Sequence, residues 1–162
     1  MSVHFYPKLF DSKQFEDQKE RKDNLYELVM ECTDENFDFN IDDSFTALAY
    51  YPSADVPANF ATVLSEQLEL DLIDLDDDSQ LEEVSKTIEI LNKIGSVEKT
   101  NLDWETYEPY IGFITLEESI TLKGFLEKYN FDDDVINNYK HFMLEILRKA
   151  IEKNKGIIIL AF

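Results

Sequence analysis

The apolar positions of this chain fall into two distinct rhythms, and the clearest lies near its end. Val135, Tyr139, Phe142, Met143, Ile146, Leu147, Ala150 and Ile151 recur every three to four residues, which predicts a long helix with one wide apolar stripe. Asp132 to Asp134 stand at its start and Arg148, Lys149, Lys153 and Lys155 near its end, as the helix dipole favours, with Gly156 as the expected stop. Ile157 to Phe162 then runs without a polar residue. A continuous apolar run of this length predicts a strand covered on both faces, inside a sheet and not at its edge.

Upstream, the same two rhythms alternate. Val3 to Tyr6 predicts a short first strand ended by Pro7, followed by a polar, mixed-charge stretch from Asp11. Leu25, Leu28, Val29 and Cys32 keep helical spacing, whereas Phe37, Phe39 and Ile41 alternate with Asp38, Asn40 and Asp42 as in a half-buried strand. Asp42-Asp43-Ser44 reads as a turn into a second strand, Phe45 to Tyr51. Pro57 can open a helix carrying Phe60, Leu64 and Leu68. From Leu68 to Leu75 both readings survive: Leu68, Leu70 and Leu72 alternate with acids, and Leu64, Leu68 and Leu72 keep fourfold spacing. Ser79 with Glu82 forms a capping box ahead of Leu81, Val84, Ile88 and Leu91, with Gly95 as the stop. Thr115 with Glu118 repeats this grammar before Leu116, Ile120 and a Phe125, Leu126, Tyr129 cluster. Strands early, helices through the middle and a strand last predict a single compact α+β domain over residues 1 to 162. The expected sheet is small, mixed or antiparallel, with a buried last strand and several packed helices.

Composition changes the picture through charge. Among 162 residues, 15 Lys and Arg stand against 35 Asp and Glu, a net charge of −20. No Lys or Arg occurs between Lys22 and Lys86, and residues 23 to 85 hold 18 of the acids. Phosphate contacts need Lys and Arg, so nucleic-acid and anionic-membrane binders are not expected. A basic protein is the expected partner, because an acidic face speeds its encounter and imitates the charge of a nucleic-acid strand. Turns present carboxylates freely, which makes Asp42, Asp43, Asp71, Asp74, Asp76, Asp77 and Asp78 the candidate contacts; the competing role of each is solubility. Trp104, Tyr107 and Tyr110 stand three apart among acids and are candidate aromatic contacts, against the alternative that this loop packs on the core.

Catalytic and metal chemistry find little support. His4, His141 and Cys32 are the only imidazole and thiol ligands, too few for the usual zinc or non-haem iron set, so neither metal nor cofactor is expected. Asp74, Asp76 and Asp78 open like a calcium loop, but Ser79 stands where Gly is required and Ser85 where a bidentate Glu is required. No phosphate loop, dinucleotide fingerprint or nucleophile elbow occurs among only four Gly. With 35 acids, a carboxylate pair for glycoside chemistry arises by chance, so an enzyme is the third reading only. A single Cys, a start without a basic and apolar leader, and no bilayer-length apolar run predict a cytoplasmic, reducing setting.

The order Tyr110-Ile111-Gly112-Phe113-Ile114-Thr115-Leu116-Glu117-Glu118, then a Leu/Phe-rich helix, then a helix ending Ala150-Ile151-Glu152-Lys153-Asn154-Lys155-Gly156 and an apolar strand, resembles the C-terminal half of small YfbM-like bacterial proteins. The resemblance covers about a third of the chain and implies a bacterial cytosolic α+β protein without catalytic residues. In size and acidity the chain is also similar to immunity proteins that neutralise toxins. The leading expectation is therefore an immunity-type inhibitor of a basic toxin, with a nuclease as the expected target class. The alternative is a YfbM-like housekeeping or regulatory adaptor.

Overall fold

The computed structural model describes residues 5–18, 60–95, 98–99 and 110–161. In chain order the elements are β1 (Phe5–Phe10), α1 (Ser12–Gln18), α2 (Phe60–Leu72), α3 (Asp78–Gly95), β2 (Glu98–Lys99), β3 (Tyr110–Ile114), α4 (Leu116–Lys128), α5 (Asp134–Glu152) and β4 (Gly156–Ala161). The architecture is α+β, as the patterning predicts. The isoleucine run forms β4, which pairs antiparallel with β1 on one side and β3 on the other, and β2 extends the sheet to the order β1-β4-β3-β2. Ile157, Ile158 and Ile159 are at most 1% exposed, so the expected double coverage of the last strand holds.

The register assigns the two faces of the sheet. Ile157 lies between Leu9 and Ile114, and these three with Ile159 join the core beneath the long helices. Ile158 lies between Lys8 and Phe113 and points the other way, because side chains alternate along a strand. On that second face Phe15 of α1 packs edge-on to Phe10, with ring centroids 5.5 Å apart, and against Phe113 at 4.7 Å. Asp11 starts α1 by accepting the Gln14 N–H at 2.9 Å, and its carboxylate lies 3.6 Å from the Lys155 ammonium.

The helical layer is held to the sheet at one end and to itself along its length. α2 and α3 form a hairpin, with Ser65 donating to Asn92 at 2.7 Å, and Phe60 of α2 meets Phe142 of α5 edge-on at 5.1 Å. Leu64, Leu68, Leu91, Leu122, Met143 and Leu147 are fully buried between these helices. Gly112 admits the end of α3: a Cβ there would sit 2.6 Å from the Ile94 carbonyl oxygen. The Thr115 capping box is complete, with the Glu118 N–H donating to Oγ1 and the Thr115 N–H donating to the Glu118 carboxylate. Asp133 caps α5 by accepting the N–H groups of Val135 and Ile136. No helix among the described residues is long and apolar enough to cross a membrane.

Several expectations are corrected. β1 does not end at Pro7 but runs on to Phe10; among the described residues it pairs only with β4, and an edge strand tolerates the missing N–H. Ser79 is not the cap of α3. The Asp77 carbonyl accepts the Leu81 N–H, starting the helix two residues earlier, and the Asp77 carboxylate accepts from Ser79 and Gln80. The segment Leu68 to Leu75 is helical to Leu72, with Leu72 and Leu75 packed on the core and Leu70 exposed. Gly156 does not stop α5: the turn is made by Asn154 at φ 57, a left-handed conformation that Asn tolerates, and Gly156 opens β4. Ile120 and Val135, expected in apolar stripes, are exposed. Tyr110 to Ile114 is a strand rather than part of a loop, and α1 occupies the polar stretch after Asp11. The predicted helix around Leu25 to Cys32 and the hairpin of Phe37 to Tyr51 lie outside the described residues.

Two glycines test this packing in opposite directions. A Cβ on Gly156 would sit 2.6 Å from the Ile114 carbonyl oxygen and 2.7 Å from the Phe10 ring, whereas one on Gly124, in mid-α4, meets nothing within 4 Å. Gly156→Ala should cost about 2 kcal/mol through overpacking. Gly124→Ala should add about 1 kcal/mol through helix propensity. Urea unfolding of both variants measures the two signs.

Candidate functional site

The helix directions bring four helix ends together at the end of the layer away from β3. α4 leaves the sheet at Thr115 and runs antiparallel to α3, tied by Lys93 to Glu118 near the sheet and by Lys128 to Glu83, 2.8 Å, at the far end. The end of α2, both ends of the α2–α3 turn, the end of α4 and the start of α5 therefore share one region. One contact joins the two acidic turns across 58 residues of sequence: the Tyr129 hydroxyl donates to Asp71 Oδ2 at 2.9 Å.

The sequence-predicted carboxylates divide by what they already hold. Asp71 sits in the last turn of α2, accepting from Tyr129 on one oxygen and from Gln67 Nε2 at 2.8 Å on the other. Asp77 is exposed but serves as the α3 cap; the Ser79 hydroxyl, followed by the N–H groups of Ser79 and Gln80, holds its carboxyl below the usual range. Asp74, Asp76 and Asp78 are exposed, and among the described residues their carboxylates make no hydrogen bond or ion pair. Asp42, Asp43, Trp104 and Tyr107 lie outside the described residues, and Tyr110 opens β3 opposite Ala161 and Lys99.

Sequence reasoning missed the second half of this end. Asp132, Asp133 and Asp134 are all exposed beside the first cluster, with Asp132 close enough to act on Tyr129. In the sequence they serve only as dipole partners of α5, which is true of Asp133 and silent about what lies opposite. Exposed apolar side chains accompany the acids: Leu70, Ile73 and Val135 are 62%, 80% and 56% exposed. Lys140 was also missed. It is buried, and its ammonium donates to the Tyr129 carbonyl at 2.8 Å and to Asn130 Oδ1 at 3.4 Å, where the negative end of the α4 dipole receives it. Its signal was position, fourfold-spaced between Ile136 and Leu144 on the apolar stripe.

A cleft of about 280 Å³ opens beside the Asp71 to Tyr129 bond, between the start of α3 and the end of α4. No group of three His, Cys, Asp or Glu among the described residues is arranged to hold a metal ion. His141 is exposed on α5. No family model, curated protein or solved structure matches the chain.

The bond between the two turns carries a pH signature. Burial first, then the hydrogen bond to Asp71, then the charges of Asp71 and Asp132 push the Tyr129 hydroxyl from 10.0 to about 12. Above pH 10 the unfolded chain gives up this proton while the folded chain keeps it, so the unfolded state binds fewer protons and stability falls as pH rises toward 12. Tyr129→Phe should cost about 1.5 kcal/mol at neutral pH, the low end for a hydrogen bond to a charged group. It should also flatten the fall in unfolding free energy between pH 10 and 12. Parallel pH profiles for the two proteins contradict the bond.

Proposed function

We propose that the chain is a cytoplasmic immunity-type inhibitor that binds a basic toxin, a nuclease by expected class, through the acidic end of its helical layer. The observation that carries this reading is the meeting of two acidic turns from distant parts of the sequence, Asp71 to Asp78 and Asp132 to Asp134, around the Tyr129 to Asp71 bond. Exposed carboxylates on Asp74, Asp76, Asp78, Asp132 and Asp134 supply the field that steers a cationic partner, while Leu70, Ile73 and Val135 supply apolar area that excludes water. In this reading charged groups set the rate of encounter and buried anchors its lifetime. Asp42, Asp43, Trp104 and Tyr107 remain proposed contacts on the strength of the sequence, whereas Tyr110 is held in β3, away from this end of the helical layer, and is not a contact of this face. The same field repels nucleic acid and anionic membranes, and the reading assigns no catalytic residue, metal or cofactor.

A second reading, the YfbM-like adaptor, draws support from a different observation. Asp71, Asp77 and Asp133 already hold internal hydrogen bonds, so part of the acid cluster builds the fold whatever binds there. On that reading the remaining charge serves solubility, and no toxin accompanies the chain.

The variant Asp74→Lys, Asp76→Lys, Asp78→Lys separates the two, because it spares the cap at Asp77. Toxicity of a basic protein encoded beside this chain should be suppressed by coexpression of the wild type. Association of the purified pair should slow about tenfold or more in the variant, the effect shrinking with added salt, while circular dichroism shows the variant still folded. An unchanged association rate removes this surface from the interface, and a non-toxic neighbour favours the adaptor.

A further inference from the structure

The cleft between α3 and α4 has a floor and a rim of different chemistry. Val84 and Phe125, 2% and 5% exposed, form the floor with Leu75, and the Tyr129 ring stacks on Phe125 at 5.0 Å. On the rim, Glu83 and Lys128 form an ion pair between half- and mostly exposed side chains. At about 280 Å³ the cleft has room for a single long protein side chain. We infer that this cleft takes one arginine side chain of the basic partner, its stem over Val84 and Tyr129 and its guanidinium on Glu83.

The inference rests on the reading of the acidic end as a docking face. Three features select arginine. Its aliphatic stem and planar head suit a floor that is apolar and aromatic. The rim carboxylate already holds a cation, so Lys128 occupies in the free protein the place that the partner's cation takes in the complex. An exposed Lys–Glu pair is weak, and a forked guanidinium binds a carboxylate through two parallel hydrogen bonds where an ammonium makes one. Finally, Asp71, Asp74, Asp76, Asp77 and Asp132 around the cleft exclude an anionic occupant and favour a cation over a neutral group.

Because Lys128 competes and Glu83 receives, their removal has opposite effects. The test titrates the peptide acetyl-Gly-Gly-Arg-Gly-Gly-amide, and its citrulline and lysine counterparts, into the nitrogen-15-labelled full chain, following amide shifts at Gln80, Val84, Lys128 and Tyr129. The arginine peptide should move these amides, the citrulline peptide should not, and the lysine peptide should bind several-fold more weakly. Lys128→Ala should tighten the arginine peptide about threefold, and Glu83→Gln should weaken it about fivefold. Both side chains are solvent-exposed, and matching circular dichroism confirms folding. Equal binding of the citrulline peptide, or shifts of the same sign in both variants, overturns the inference. Shifts confined to residues 74–78 and 132–134, equal for arginine and lysine, overturn the cleft while leaving the acidic end as a docking face. That face is judged separately by the charge-reversed triple variant.

Discussion

The structure depends on burying one strand with no polar side chain. Ile157 to Ile159 present branched apolar side chains to both sides, so β4 is stable only where both sheet faces are covered and both strand edges are paired. β1 and β3 supply the edges. The long helices cover one face and Phe15 of α1 contributes to the other. Two glycines make the close fit possible: Gly156 lets β4 start against Ile114 and Phe10, and Gly112 lets the end of α3 touch β3.

Once the helices are fixed to the sheet at one end, their lengths determine what gathers at the other. The antiparallel run of α3 and α4 carries the α2–α3 turn and the start of α5 to a common region, where two helices begin and two finish. Helix starts favour carboxylates, both as caps and as partners of the dipole, so Asp77, Asp78, Asp133 and Asp134 collect there for reasons of folding. Their accumulation produces a second consequence. The carboxylates of Asp74, Asp76, Asp132 and Asp134 make no hydrogen bond or ion pair among the described residues, and the acidic end combines them with exposed Leu70, Ile73 and Val135. The cations Lys153 and Lys155 lie past the other end of α5, where Lys155 approaches Asp11.

Elements whose stability is written in one continuous pattern were legible in the sequence. The isoleucine run, the stripe of α5 and the reciprocal Thr115 and Glu118 box each carry a local signal that the tertiary structure keeps. α1 was not legible because it is polar except for Phe15, which is held by two rings brought from other strands. The strand character of Tyr110 to Ile114 was hidden by Gly112, whose missing side chain breaks the alternation at the point where α3 comes closest. The capping pattern puts the start of α3 at Ser79 with Glu82, and the bond from the Leu81 N–H to the Asp77 carbonyl starts the helix two residues earlier. For the candidate site, the exposure of Asp74 and Asp76 agrees with their reading as turn residues, whereas Asp71 and Asp78 lie in helices α2 and α3. The partnership of Asp71 with Tyr129, the addition of Asp132 to Asp134, and the cleft arise from contacts across the fold that no local period encodes.

The central claim is that a basic protein docks on this acidic end. Hydrogen–deuterium exchange of the chain alone and mixed with a candidate basic toxin tests that proposal most directly. The account predicts added protection in residues 71–84 and 128–136, and unchanged exchange in the already buried strand Gly156–Ala161. Protection confined to β1 and the sheet, with both acidic turns exchanging as in the free protein, would contradict it.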